Sequence, residues 1–459
     1  MQSVFRLIKD ALQGDENRDY TSLNINKAIV LLSIPMVLEM FFEALFALVD
    51  AFFAARYVGT LGVAAVGLTE SVLTLIYSLA WGMSGAAMAI ISRRIGEKDP
   101  RNAGKALAQV ILISLAVGLI IAALGFFYSV DILRLMGGSP ELVKEGEWFT
   151  KIQFLSSPVI ILLFTLSGAL RGAGSASLAM RSVIIANIIN ILLDYLLIPV
   201  LGFGIEGAAI ATFTGRSIGV IYQLWILLRV SKHLTLSLSD FLPSKTIINS
   251  ILRIAGGGAG QFLIQSASWV FLVRILSIYG SEVIAGYTIA LRIIVFTILP
   301  SWGLANSAAT LVGQNLGAGK PDRAITSVWR VALFNMAFLA IIAVFFFLFS
   351  RPLILFFDQT PQVVETGVIC LNILAAGYIF FGAGMVITQA INGAGDTIPP
   401  TLFNIFCFWI LEIPLAWFLA EKLGWHETGV FLSIVISESI LAVISIIYFR
   451  SNRWQRMKV

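Results

Sequence analysis

Two stretches limit what this chain can fold into more than any other feature. Between residues 106 and 130 the only charged or amide side chain is Gln109, and between residues 331 and 350 it is Asn335. Each run reaches the roughly 20 apolar residues with which an α-helix crosses a bilayer. The rest of the sequence agrees: 58% of residues are hydrophobic and 12% charged, against about 45–50% and 25% in soluble domains. The chain is an integral membrane protein.

Apolar runs read against charged or Gly/Pro punctuation predict an all-α fold of twelve spans, near 27–56, 62–92, 102–128, 146–171, 178–201, 206–230, 250–278, 283–313, 323–349, 363–391, 399–420 and 428–450. The halves repeat. Trp81-Gly82 matches Trp302-Gly303 at an offset of 221 residues, and the same offset pairs Gly59 with Gly280, Gly96 with Gly317, Pro100 with Pro321 and Pro140 with Pro361. It also carries "RGAG" (171–174) onto "NGAG" (392–395). One offset held over more than a hundred residues marks a duplicated unit. The expected organisation is a cytoplasmic N-terminal segment (1–26), a six-helix lobe (27–230), a linker (231–249), a second six-helix lobe (250–450) and a basic tail (451–459). An even number of spans per unit makes the two lobes enter the membrane in the same direction, related by a pseudo-two-fold axis along its normal, with a V-shaped cavity between them as the substrate path.

Lys and Arg set the orientation. Arg93, Arg94, Lys98, Arg101, Lys105, Arg229, Lys232, Lys245, Arg253, Lys320, Arg323, Arg450, Arg453, Arg456 and Lys458 gather on one side, and Arg56, Arg134, Lys144, Arg351 and Lys422 on the other. By the positive-inside rule both termini are cytoplasmic. The pI of about 9.2 therefore reflects topology in a multi-pass protein of the cell membrane, with lipid around it and no nucleic acid as partner. Val4, Phe5, Ile8, Ala11 and Leu12 follow a helical period suited to a short helix on the membrane surface. Cys370 and Cys407 lie in apolar stretches and His233 and His426 lie far apart in loops, so neither a disulfide framework nor a His-rich metal site is expected. No Walker-type stretch and no nucleophile constellation is present, which leaves an enzyme without support.

Ionisable residues inside spans are costly and point to function. "NIINILLDYLLIP" (187–199) carries Asn187, Asn190 and Asp194 at i, i+3 and i+7, one face of a helix. The first helix carries Glu39, Glu43 and Asp50 within about 40° of one another at 100° per residue. Counting about 1.5 Å per residue from the helix ends places Asp50, Asn190, Asp194 and Thr212 at similar depth in the outer half of the bilayer, where they can converge. Two acids with amide and hydroxyl oxygens suit Na⁺ by oxygen ligation, and equally a proton taken up by one of two close carboxylates. For Glu70, Glu206, Glu412 and Glu438, which lack a neighbouring polar stripe, pairing with an arginine such as Arg216, Arg274 or Arg292 stands level with a functional role. Pro35 interrupts the first helix as a static kink or as a hinge.

"GQNLGAGKPDRA" (313–324), "NGAGDTIPP" (392–400) and "WILEIPLAWFLA" (409–420), on a duplicated twelve-helix chain, resemble the multidrug and toxic compound extrusion (MATE) transporters over residues 27–450. Within that family the chain resembles the DinF-like branch, whose cation site lies in the N-terminal half. The resemblance implies an ion-coupling role for Asp50, Asn190, Asp194 and Thr212 and matches the branch's first-helix proline to Pro35. Glu39, Glu43, Asn187 and Gln265 are expected along the substrate cavity. Phe46 stands one turn before Asp50, where some relatives have tyrosine. The seventh helix reads "GGGAGQFLIQSASW", with Gln261 and Gln265 and no carboxylate, so no cation site is expected in the C-terminal half. The function implied is a monomeric secondary antiporter, free of cofactors, that exports amphipathic cationic organic compounds in exchange for H⁺ or Na⁺. One charge moving down 100 mV supplies roughly 2.3 kcal/mol, a substrate gradient of about fifty-fold. A lipid-linked oligosaccharide flippase of the same superfamily is the alternative, and its cavity needs several Arg or Lys for phosphates. A major-facilitator transporter ranks lower, because "SRRIGEKDPR" lacks that family's loop arrangement.

Overall fold

The structure is a computed structural model describing residues 2–15, 18–229, 234, 236–457 and 459; Lys232, His233 and Lys458 lie outside the described residues. The helices are α1 (Gln2–Gln13), α2 (Ile25–Tyr57), α3 (Gly59–Gly96), α4 (Pro100–Leu135), α5 (Pro140–Leu155), α6 (Ser157–Gly172), α7 (Ala176–Tyr195), α8 (Gly204–Arg229), α9 (Lys245–Leu276), α10 (Ser281–Gly317), α11 (Pro321–Leu355), α12 (Pro361–Ala376), α13 (Tyr378–Gly393), α14 (Ile398–Asn404), α15 (Ile413–Trp417) and α16 (His426–Arg450). Wide π turns follow α7 at Leu196–Val200, join α14 to α15 at Ile405–Glu412 and follow α15 at Phe418–Lys422.

Among the described residues nine helical segments are long and apolar enough to span a membrane. Two predicted spans, 146–171 and 363–391, are not straight helices: α5 and α6 meet at 41°, α12 and α13 at 55°. The first bend has a local cause. Pro158 offers no N–H to the Phe154 carbonyl, and the Ser157 hydroxyl donates to that oxygen instead at 2.6 Å. The twelfth span is α8, whose 26 residues are long enough to cross at about 1.5 Å each, although Arg216 and Gln223 dilute its apolar run. Starting points repeat as the offset predicts. Pro100, Pro140, Pro321 and Pro361 each open a helix, the position where a missing N–H costs nothing. Asp99 caps α4 by accepting from the Asn102 amide at 3.0 Å. That bond, with a second from the Asn102 side chain, holds the Asp99 carboxyl below its usual range.

The two amides of the apolar runs are structural. Gln109 is fully buried and staples the linker to α4: it donates to the Asp240 and Leu242 carbonyls at 2.6 and 2.9 Å and accepts from the Ser244 amide at 3.0 Å. Asn335 accepts from Ser301 at 2.8 Å and donates to the Gly382 carbonyl at 3.0 Å. Outward, Ile120, Leu124 and Phe127 on α4, like their offset partners Ile341, Phe345 and Leu348 on α11, are exposed and form a lipid-facing surface.

The lobes join at the face that carries both chain ends. A side chain on Gly96 would stand 2.1 Å from the Gln314 carbonyl, and one on Gly317 would stand 2.1 Å from the Arg93 carbonyl; Gln314 and Arg93 are themselves an offset pair. Trp81 stacks on its own repeat partner, Trp302, with centroids 5.3 Å apart and planes at 12°. Residues that meet their symmetry mates lie on the axis, so the pseudo-two-fold runs between α3 and α10. Gly82 likewise lies against Ala255 and Ala259 of α9, and Gly303 against Met36 of α2, beside Pro35, through which α2 runs unbroken. At the far end of α3, Gly62 meets only its own lobe and Gly67 meets nothing. The lobes thus pack closely on the terminal side and part toward the far side.

Their cores also interlock. Ile29, Leu31, Leu32 and Met36 of α2 pack with Ala308, Val312, Val328 and Ile387 of the second half, while Ile251, Ile254 and Ala255 of α9 pack with Ile90, Leu166 and Leu170 of the first. Both tails cross over as well. Lys320 and Arg323 donate to the Thr21 and Tyr20 carbonyls at 2.9 and 3.1 Å, and Arg93 and Arg94 donate to the Met457 and Val459 carbonyls at 2.7 Å each. α1 buries Ala11 while Phe5 and Ile8 stay exposed, and Arg181 donates to its last carbonyls, Leu12 and Gln13, at 2.9 and 2.8 Å.

This packing predicts opposite outcomes for two glycines on α3. A Cβ at Gly82 meets the Ala255 carbonyl at 2.4 Å, whereas one at Gly85 meets nothing within 4 Å. Gly82→Ala should destabilise the purified protein by about 1–3 kcal/mol, lowering its Tm, and Gly85→Ala should leave Tm unchanged or raise it through helix propensity.

Candidate functional site

The site is built where α7 and α8 are pressed together. A side chain on Gly215 would stand 2.6 Å from the Ala186 carbonyl and 3.0 Å from Asn190 Cβ, so only glycine permits that approach. The contact sets Asn190 Nδ2 3.4 Å from the Thr212 hydroxyl, to which it donates. Asp194, one turn further along α7, is 0% exposed, and neither of its carboxylate oxygens has a hydrogen-bond partner. The Asn190 amide oxygen is also unpartnered, as is Oδ1 of Asp50. Asp50 reaches the group from α2, within electrostatic range of Asp194. Asn190, Asp194 and Thr212 therefore occupy one buried patch of the first lobe, with the half-buried Asp50 in electrostatic range of Asp194. Just past Asp194, Pro199 lies in the π turn Leu196–Val200, a helix irregularity common at functional sites.

One turn toward the terminal face along α8 from Thr212 stands Arg216, 5% exposed. Its guanidinium lies over the rings of Phe46, Tyr77 and Phe164 at 5.0, 5.6 and 5.7 Å and 3.9 Å from Glu43. Phe46 thus supplies a face to a cation where a tyrosine would add a hydroxyl. Asn187 is not free to bind: it donates to the Phe42 carbonyl at 2.9 Å and ties α7 to α2. Deeper still, Glu39 pairs with Arg171 at 2.6 Å, both side chains 2% exposed, and Arg171 also donates to the Ser84 hydroxyl at 2.7 Å. Glu39 accordingly faces an arginine and not an open cavity. Gln265 belongs elsewhere, donating to Glu438 in the second lobe at 3.2 Å.

The first lobe thus encloses a ladder of charge from far side to near: Asp194 and Asp50, then Arg216 with Glu43, then Arg171 with Glu39. Four carboxylates face two guanidinium groups. The imbalance collects at the far end, where Asp194 has no donor at all. An ionised carboxylate left so is expensive in the protein interior, and hard oxygen ligands beside it suit a proton or a small cation. Sequence reasoning missed Arg171 as a partner, although its signal was present: an arginine closing the apolar run 157–170, where the repeat carries Asn392.

Comparison with known proteins identifies the family. The family model described as MatE matches residues 35–196 and 259–418, one segment in each half. The chain is 25% identical to the probable multidrug resistance protein YpnP of Bacillus subtilis, over 96% of this chain and 98% of that one. Among solved structures it resembles an outward-facing multidrug resistance MATE family transporter, with TM-score 0.89 and 26% identity over 96% of this chain and 97% of the other. It also resembles a MOP superfamily transporter from Pyrococcus furiosus whose binding pocket is described as having reverse polarity, with TM-score 0.89 and 25% identity over 98% of each chain. With the matched model covering both halves of a twelve-span, two-lobe fold, the chain belongs to the MatE family of membrane transporters.

Proposed function

We propose that this protein is a multidrug efflux antiporter, exporting amphipathic, cationic organic compounds in exchange for H⁺ or Na⁺ by alternating access. The observation that carries the reading is Asp194, fully buried with both carboxylate oxygens unpartnered beside Asp50, Asn190 and Thr212. Such a carboxylate is held cheaply only with a proton or a cation bound, so loading and unloading it is tied to which side the cavity faces. With both termini cytoplasmic by the positive-inside rule, the terminal face that the lobes close lies inside and the parting lies outside. The cavity then admits ions from outside in this state, as in an outward-facing relative. A surplus of carboxylates over arginines in the first lobe favours cationic over anionic substrates. The protein acts as a monomer in the cell membrane, each chain carrying its own two lobes and its own site.

The flippase alternative requires arginines available to phosphate. Arg216 is enclosed by three rings and Glu43, which counts against it, whereas Arg274 and Arg292 are exposed.

The decisive experiment reconstitutes wild type, Asp50→Asn and Asp194→Asn in liposomes, imposes a proton or a sodium gradient in turn, and follows a fluorescent organic cation. One gradient should drive wild-type transport, and each variant should bind the dye yet lose coupled transport by tenfold or more; variants that transport like wild type would falsify the site. Retained transport in Arg274→Ala/Arg292→Ala would argue against phosphate recognition.

The Glu39–Arg171 pair is internally neutral and should behave as structure. Arg171→Met strands a buried carboxylate and should cost about 3–5 kcal/mol, while Arg171→Met with Glu39→Gln should recover most of that loss. Thermal denaturation of the two single variants and the double variant measures the coupling.

A further inference from the structure

The first lobe is not the sole place where a carboxylate lies buried without a partner. Glu412 is 1% exposed and both its oxygens lack any hydrogen-bond partner. It closes the wide turn Ile405–Glu412, two residues before Pro414, which offers no N–H to the helix. Glu438 of α16 lies within electrostatic reach of it, and accepts from Gln265 of α9 at 3.2 Å. A second element adds a further unpartnered polar group. The hydroxyl of Tyr287 on α10, a residue 1% exposed, is buried without a partner and lies within electrostatic reach of Glu412. Ser437 Oγ, next to Glu438, is buried and unpartnered too. Cys407 and, beside Tyr287, Cys370 are the other titratable groups facing this region, and no salt bridge to Glu412 or Glu438 is formed among the described residues.

Depth distinguishes this group from the first. Glu438 lies midway along α16 (His426–Arg450), about 18 Å of helix from either end, whereas Asp194 lies near the far end of α7. The offset does not relate them: Asp194 maps onto Leu415 and Asp50 onto Phe271. The second lobe has thus acquired carboxylates on its last two spans, where the seventh helix, α9, supplies only amides.

We propose that Glu412 and Glu438, with Gln265 and Tyr287, form a second ion-binding site in the C-terminal lobe, near mid-membrane, whose ligand is a proton. Two carboxylates within electrostatic reach of each other, with one amide bonded to Glu438, suit a proton held by one of the pair. Protonation neutralises Glu412 and turns one of its unpartnered acceptors into a donor. The proton comes from water in the cavity and returns to water on the other side. The site deepens the antiport reading by adding a second carrier of the coupling ion, and its test is chosen to stand apart from transport.

The test is infrared difference spectroscopy of the purified protein in lipid nanodiscs, titrated from acid to alkaline pH without substrate, reading the C=O band of protonated carboxyl groups. Wild type should show a component that persists in Asp194→Asn and Asp50→Asn and is lost in both Glu412→Gln and Glu438→Gln, each of which keeps wild-type Tm or exceeds it. A band unchanged in both glutamine variants overturns the proposal. So does a component displaced by Na⁺ at fixed pH, which would assign the site to sodium. Loss of coupled transport in Asp194→Asn with the glutamate component intact separates the first-lobe reading from this one, because the spectrum needs no gradient and no substrate. In liposomes, Glu412→Gln should lower the number of protons exchanged per substrate, about twofold if each lobe carries one.

Discussion

A charge inside a membrane protein must be compensated within reach of its own atoms, and the polar interior of this transporter follows from that constraint. Water is not at hand to solvate it, and an unpaired ion costs several kcal/mol. The two arginines buried in the first lobe are accordingly matched: Arg171 by Glu39 and a serine hydroxyl, Arg216 by Glu43 and three aromatic rings. Asp194 and Asp50 are what that pairing leaves over, and on the proposed reading that remainder is the place for an ion that comes and goes.

The duplication explains how two lobes share a frame and differ in chemistry. Devices of the backbone recur at the same offset: proline starts, the bend halfway through the fourth span of each lobe, a π turn at the far end of the fifth. These depend on proline, glycine and serine, whose effects are local. The hydrogen-bonding sets do not recur. Ser114 donates to or accepts from Thr165 at 3.1 Å where the second lobe has Asn335, and Arg171 stands where it has Asn392, which pairs with Gln261 at 3.0 Å. The frame tolerates exchange of these residues as long as each set is satisfied internally.

Much of this was legible in the sequence, for identifiable reasons. Span length and lobe count follow from apolar runs and a fixed offset, and the Asn190, Asp194 and Thr212 group follows from helical periodicity and a count of residues from the helix ends. The bends were not legible, because Ser156 and Gly377 interrupt no apolar run. Gly215, which brings Asn190 against Thr212, reads in sequence as one more small residue. The pairing of Glu39 with Arg171 joins residues far apart in the chain and depends on which way two helices face each other. Glu412 has a similar history: the groups in its electrostatic range arrive from α10 and α16, and no stripe on its own segment announces them.

The crossed tails set a threshold for the cycle. To open on the terminal side, the lobes must release the Lys320 and Arg323 bonds to the N-terminal strap and the Arg93 and Arg94 bonds to the C-terminal one. Each half-buried arginine bond is worth about 1.5–3 kcal/mol, the exposed Lys320 bond less, and one ion falling through 100 mV yields about 2.3 kcal/mol. A single ion therefore matches roughly one clasp. In the proposed antiport, the straps act as a spring constant on the exchange: loosening them trades tightness of coupling for speed, and tightening them makes a membrane with little voltage unable to turn the machine over.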